Sequence, residues 1–116
     1  MPNTPGNFTV NTQLTTSAVA IATASASTVR TLDDPVVFTN SSTSQDATVT
    51  IYHVNSGGSA NDSTLLIRTH PIPAGSRWVP YELMNKRLGA GQSIQALASV
   101  TGIINVSCGG TDYTAS

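Results

Sequence analysis

Turn-forming residues recur along this chain at intervals too short for helices and well suited to strands, and this spacing constrains the fold more than any other feature. Alternating or apolar stretches at residues 8–15, 17–27, Thr28–Leu32, Val36–Asn40, Ala47–Val54, Thr64–Ile72, Trp78–Leu83, Ser93–Ala98 and Ile103–Cys108 are set apart by turn clusters. The clusters are Asp33-Asp34-Pro35, Ser41–Asp46, Asn55–Asp62, Pro73-Ala74-Gly75, Leu88-Gly89-Ala90-Gly91 and Thr101-Gly102. Short strands at roughly 8–12-residue spacing with Gly, Pro and Asn between them predict a sandwich or barrel. Composition agrees, because Thr, at 17 of 116 residues, is β-branched and favours strands. The expected fold is all-β: a single-domain antiparallel β-sandwich or jelly-roll-like barrel around one core.

Residues 1–7, MPNTPGN, hold two prolines and a glycine. They are expected to form an extended N-terminal arm that adds little to stability, with the sandwich domain spanning 8–116. From Phe8 the chain alternates, Phe8, Val10 and Leu14 on one face and Thr9, Asn11 and Gln13 on the other. Over 17–27 alanine fills every even position from Ala18 to Ala26, which predicts a strand with a flat alanine face that another sheet or subunit could approach closely. An Ala-rich helix is the rival, weakened by the Ser and Thr between the alanines. The clearest hairpin joins Ala47–Val54 to Thr64–Ile72, with Val49 and Ile51 opposite Leu65 and Ile67. The glycines at 57, 58, 89, 91, 109 and 110 are expected in hairpin turns.

Charged residues are 9% of the chain, against about 25% in an average soluble domain, and the net charge is −1. Four arginines and Lys86 are scattered, so no basic stripe exists for nucleic acid. No apolar run approaches the roughly 18 residues of a membrane span, and the N-terminus lacks the pattern of a signal peptide. A soluble protein made inside the cell is expected. Sequons occur at Asn7, Asn40, Asn61 and Asn105, where such a Ser/Thr-rich composition gives about two by chance, and without a signal peptide glycosylation is not expected.

Catalysis needs titratable groups brought together, and most of the acids, Asp33, Asp34, Asp46, Asp62, Asp112 and Glu82, fall in expected turns. His53 and His70 lie on neighbouring strands, but a symmetric hairpin sets His70 opposite Thr48, on the other face from His53 and some way along the strand. A two-histidine metal site is therefore not expected. No nucleophile elbow, dinucleotide turn or phosphate loop is present, and Cys108 reads as a small packed hydrophobe. We expect no catalytic residues, no cofactor and no metal. The remaining unusual segment, Gly75–Glu82, contains Arg77, Trp78 and Tyr81, the residue types that dominate binding hot spots. Trp78 has two readings, the largest core side chain or an edge-strand contact.

Residues 47–112 resemble small virion proteins of tailed bacteriophages. The resemblance rests on Val49-Thr50-Ile51-Tyr52-His53-Val54, the Gly-Gly loop, Leu65-Leu66-Ile67, Ile72-Pro73-Ala74-Gly75, and Leu88-Gly89-Ala90-Gly91-Gln92-Ser93-Ile94-Gln95-Ala96. It implies a structural protein of the virion, a decoration or cement protein that binds the major capsid protein or another virion protein and forms homo-oligomers in the assembly. The alternative it implies is a tail or head–tail component recognising a host glycan. The expected interface comprises Pro2, Asn3, Thr4 and Pro5 of the arm with Arg77, Trp78 and Tyr81.

Overall fold

The structure, a computed structural model, describes residues 4–24, 28–32, 36–56, 58–84 and 86–114, with the backbone alone at 4–10, 62, 113 and 114. Ten strands follow in order: β1 (Thr4–Gln13), β2 (Val19–Thr23), β3 (Thr28–Leu32), β4 (Val37–Asn40), β5 (Ala47–Val54), β6 (Leu65–Ile72), β7 (Arg77–Trp78), β8 (Lys86–Leu88), β9 (Ser93–Ala98) and β10 (Ile104–Thr114). Short 3-10 turns occupy Asp62–Thr64 and Tyr81–Leu83, and no α-helix occurs among the described residues. The chain is an antiparallel β-sandwich. One sheet holds β1, β10, β3, β4, β8 and β7; the other runs β2-β9-β5-β6.

β10 is the spine of the larger sheet. Its even positions Ile104, Val106 and Cys108 are at most 2% exposed, while Ser107 faces solvent, the period-2 pattern of a half-buried strand. β1 pairs along one side of it without interruption, from Thr4↔Thr114 to Gln13↔Asn105. Along the other side lie β4 and then β3, both antiparallel to β10 and so parallel to each other. Thr31 stands opposite Thr111 and Val37 opposite Ser107, so the β3–β4 side carries two residues more than β10 over this interval. The expected turn at Asp33-Asp34-Pro35 lies outside the described residues; the strands on either side of it, β3 and β4, run in the same direction. β7 and β8 repeat this arrangement one position further out, pairing with β4 and β3.

Several expectations change. Pairing starts at Thr4, so residues 4–7 of the expected arm belong to a strand, opposite Thr111–Thr114. The physical reason is Pro5's position. The Leu14 amide donates to the Ile104 carbonyl, and strand alternation then turns the even-numbered amides of β1 toward β10 and the odd-numbered ones outward. Pro5 therefore lacks a donor only on the side with no neighbour, where proline is tolerated. Gly109 and Gly110 lie inside β10 opposite Thr9 and Phe8 rather than in a turn, since glycine permits a turn without imposing one. The alanine face at 17–27 is not continuous: a register shift between Ala20 and Ala22 reverses the alternation. Ile21, Ala22 and Ala24 are buried while Ala20 is exposed, and Ala26 lies outside the described residues.

The core between the sheets centres on Phe38, the largest fully buried side chain, with Leu14, Ile21, Leu32, Val49, Ile51, Ile72, Leu83, Leu88, Ile94 and Ile104. Burying a side chain of this size is worth about 1.5–3 kcal/mol. Asn40 is the most deeply enclosed of the four buried polar side chains among the described residues, the others being Thr28, Thr50 and Ser93. Asn40, 1% exposed, donates from Nδ2 to the carbonyls of Gln45 (2.9 Å) and Ile72 (3.0 Å), and its Oδ1 accepts from the Ser42 amide (2.9 Å). It ties the larger sheet to the end of β6 and holds the loop after β4. At the far end of the larger sheet the inner face turns ionic: Arg30 and Asp112, cross-strand neighbours, form a two-pronged pair at 2.6 and 2.8 Å.

The loop before β9 depends on Gly91. Its φ of +77° is unfavourable for side-chain-bearing residues, and an added Cβ would lie 2.5 Å from Ser56 Oγ. Gly91 also donates its amide to the Ala24 carbonyl at 3.0 Å. Gly91→Ala should destabilise the fold by about 1–3 kcal/mol, read from a urea midpoint shift at unchanged slope. Gly75→Ala, at similar φ but with open space around its Cβ, should cost less.

Candidate functional site

A β-sandwich has sheet edges, and each edge presents backbone amides and carbonyls that another strand can take. Three of the four here are blunted. β6 contains Pro71 and two register irregularities, with Thr69 at φ 44° donating its amide to the buried Thr50 hydroxyl (3.1 Å). β2 is five residues long and carries the bulge at Ala20/Ala22. The β7/β8 edge consists of a two-residue and a three-residue strand separated by the 3-10 turn at Tyr81–Leu83. Short strands, prolines and bulges are the usual means of keeping edges from pairing.

β1 differs from all three. It is ten residues long, pairs among the described residues only with β10, has an unbroken register and contains no charged residue. Asn7, Thr9, Asn11 and Gln13 turn their amides and carbonyls outward, and Pro5 turns a carbonyl alone. Beside this edge, Asn11, Gln13, Thr39, Asn105 and Ser107 line a shallow depression on the outer face of the sheet. Gln13 Nε2 donates there to the Gly102 carbonyl at 3.0 Å and to Asn105 Oδ1 at 3.3 Å. With Thr12 and Val106, which complete the lining, the depression is made of amide, hydroxyl and one apolar residue and contains no titratable group.

The structure separates the expected interface residues into two places. Pro2 and Asn3 lie outside the described residues; Thr4 and Pro5 begin β1. Arg77, Trp78 and Tyr81 lie at the opposite edge of the same sheet, with β10 and β4 between. Arg77 is exposed and Tyr81 is 77% exposed, flanked by exposed Val79 and Met84. Trp78 is half-buried: it packs against the core, its ring centroid 5.3 Å from that of Phe38, and the His70 ring stacks on it at 3.7 Å and 9°. A face covered by His70 is not available to a sugar ring.

His70 stands opposite Val49 rather than Thr48, displaced by the irregularities in the β5–β6 pairing. His53 has different surroundings, its Nε2 3.3 Å from Gln92 Oε1. No group of three His, Cys, Asp or Glu side chains able to hold a metal occurs among the described residues. The sequence reading missed the outward groups of β1 as a site, although the alternation from Phe8 to Gln13 was the signal for them. It stopped the strand at Phe8 because Pro5 and Gly6 read as breakers.

The architecture defines an antiparallel sandwich class that solved structures share. A structure of Bacillus endospore appendages, described as a family of disulfide-linked pili, aligns with 99% of this chain and 90% of its own, at 14% identity and a TM-score of 0.51. Two structures of infectious bursal disease virus, of the Gx strain and of the T13 particle, align with 97% of this chain at 14% and 11% identity. Their TM-scores are 0.43 and 0.40, and this chain spans about a third of their length. The appendage structure shows a common fold. No protein-family model matches the chain, and no curated protein does.

Proposed function

We propose that this protein is a structural subunit of a virion, a decoration or cement protein that binds the capsid through protein–protein contacts and performs no catalysis. The observation that carries this is the contrast among the sheet edges: three are blunted and one, β1, is long, regular and uncharged. A surface with so few charges is also buried in a seam at small desolvation cost. The resemblance of residues 47–112 to virion proteins of tailed phages supplies the setting, and the fold shared with a pilus-forming appendage protein supports a role in ordered assemblies. The disulfide linkage of those pili has no ready counterpart here, because the sole cysteine, Cys108, is buried at 2% exposure. Copies of this chain would be held by strand pairing and side-chain contact.

The test is the copy number of this protein in purified particles, by quantitative mass spectrometry against the major capsid protein. A fixed ratio near one copy per capsid subunit, or per capsomer, is expected. A few copies per particle would assign it to the tail or neck, and absence from particles would overturn the proposal. Attachment should also be insensitive to ionic strength, since screening acts on exposed charges and few are present. Raising salt from roughly 0.1 M to 1 M should change the dissociation constant less than about threefold, measured by sedimentation with particles; a loss of tenfold or more would show that ion pairs hold the interface.

A further inference from the structure

We propose that β1 pairs with β1 of a second copy of this chain, antiparallel, across a two-fold axis at Thr9, joining the larger sheets of the two copies into one. The inference rests on the assembly reading above and names the partner of its open edge. Antiparallel pairing through the outward groups requires odd-numbered residues of one copy to face odd-numbered residues of the other. The sequence around Thr9 is self-complementary in this arrangement. Asn7-Phe8-Thr9-Val10-Asn11 reads amide, apolar, hydroxyl, apolar, amide in both directions. In register, Thr9 then stands opposite itself, Asn7 opposite Asn11 of the second copy, and Phe8 opposite Val10.

Neighbouring registers are worse. Moving the axis to Phe8 sets Val10 against Gly6 and brings Pro5 opposite Asn11, where its missing donor interrupts the ladder. Moving it to Val10 sets Phe8 against Thr12. With the axis at Thr9, Pro5 meets Gln13 at the rim of the contact, and hydrogen bonding is continuous from Asn7 to Asn11. Like charges do not face each other in any part of it, because Thr4–Gln13 contains none. A two-fold contact uses the same patch on both copies and closes at the dimer, leaving the Arg77–Met84 edge of each copy for other contacts.

The register is read by cross-linking the full-length protein. Facing residues in hydrogen-bonded pairs have Cα atoms about 5.5 Å apart, within the ~4.4–6.8 Å that a disulfide spans. Under mild oxidation Thr9→Cys should cross-link to itself. Asn7→Cys and Asn11→Cys should each stay monomeric on a non-reducing gel, yet cross-link when mixed, and the unsubstituted chain should give no cross-link because Cys108 is buried. Light scattering over a dilution series should show a dimer that dissociates, and Thr9→Pro, which removes a donor from each side of the axis, should weaken it roughly tenfold or more with the far-UV spectrum unchanged. A monomer at every concentration, with Thr9→Cys uncross-linked, would overturn the pairing, as would equal cross-linking at all three positions. If the chain is monomeric but blocking β1 still abolishes attachment to particles, the edge takes a strand of another protein: the self-pairing fails and the proposed function stands. If blocking β1 leaves both mass and attachment unchanged, both fail.

Discussion

Asn40→Ala should lower the stability of this protein by about 2–4 kcal/mol and its melting temperature by on the order of 10 °C. Three hydrogen bonds end at one buried side chain, to Gln45, Ile72 and Ser42. The substitution leaves the partner groups, above all the buried Ile72 carbonyl, to find new partners, and a buried polar group left unpaired costs more than the bond itself contributed. Asn40→Asp should be nearly as harmful, since a carboxylate offers no donor to the two carbonyls. Thermal melts with urea titration measure this. A loss below about 0.5 kcal/mol would mean that the loop after β4 rearranges freely and that Asn40 does not tie the sheets together. Because its amide nitrogen is engaged and buried, the sequon at Asn40 is closed to glycosylation in the folded protein.

The double substitution Asn7→Pro/Asn11→Pro should weaken attachment to particles by on the order of 10- to 100-fold while changing the melting temperature by only a few degrees. Both residues turn their amides away from β10, so proline removes donors that the domain's own sheet does not use. Two rings on the outer side of β1 also obstruct an approaching strand. The control is Val10→Pro, whose amide faces β10: it should unfold or strongly destabilise the N-terminal half of β1. The contrast between neighbouring positions distinguishes an edge interface from a general effect of proline on the strand. Equal attachment by the double variant and the unsubstituted protein would show that pairing through β1 makes no contribution to attachment.

Architecture was largely legible in the sequence because hydrophobic alternation in a two-sheet protein is a local signal. Thr28–Leu32, Ala47–Val54 and Ser93–Ala98 fall where their period of two and flanking turn residues put them. What was not legible depended on partners distant in sequence. Pro5 and Gly6 look like breakers until β10 is seen on one side of them and no strand of the described residues on the other. Gly109-Gly110 looks like a turn until β1 is seen to pair straight across it. The bulges at Ala20/Ala22 and before His70 each shift a register by a residue, which turns the alanine face and moves His70 from Thr48 to Val49. Of the expected interface, Trp78 was ambiguous on sequence because size alone does not separate core from contact. Its rings of contact with Phe38 and His70 place it at the rim of the core, and leave Arg77 and Tyr81 as the accessible members of that group.

Amide hydrogen exchange, resolved residue by residue in free protein and in protein bound to particles, tests the central claim most directly. In the free protein, diluted until it is monomeric, the even-numbered amides of β1, bonded to β10, should be protected, and those of Asn7, Thr9, Asn11 and Gln13 should exchange at nearly unstructured rates. On binding, Asn7, Thr9 and Asn11 should slow by at least roughly 100-fold, because an edge amide becomes protected only when it gains an acceptor. Protection confined to residues 77–84, with the odd-numbered amides of β1 exchanging as in the free chain, would contradict assembly through this edge.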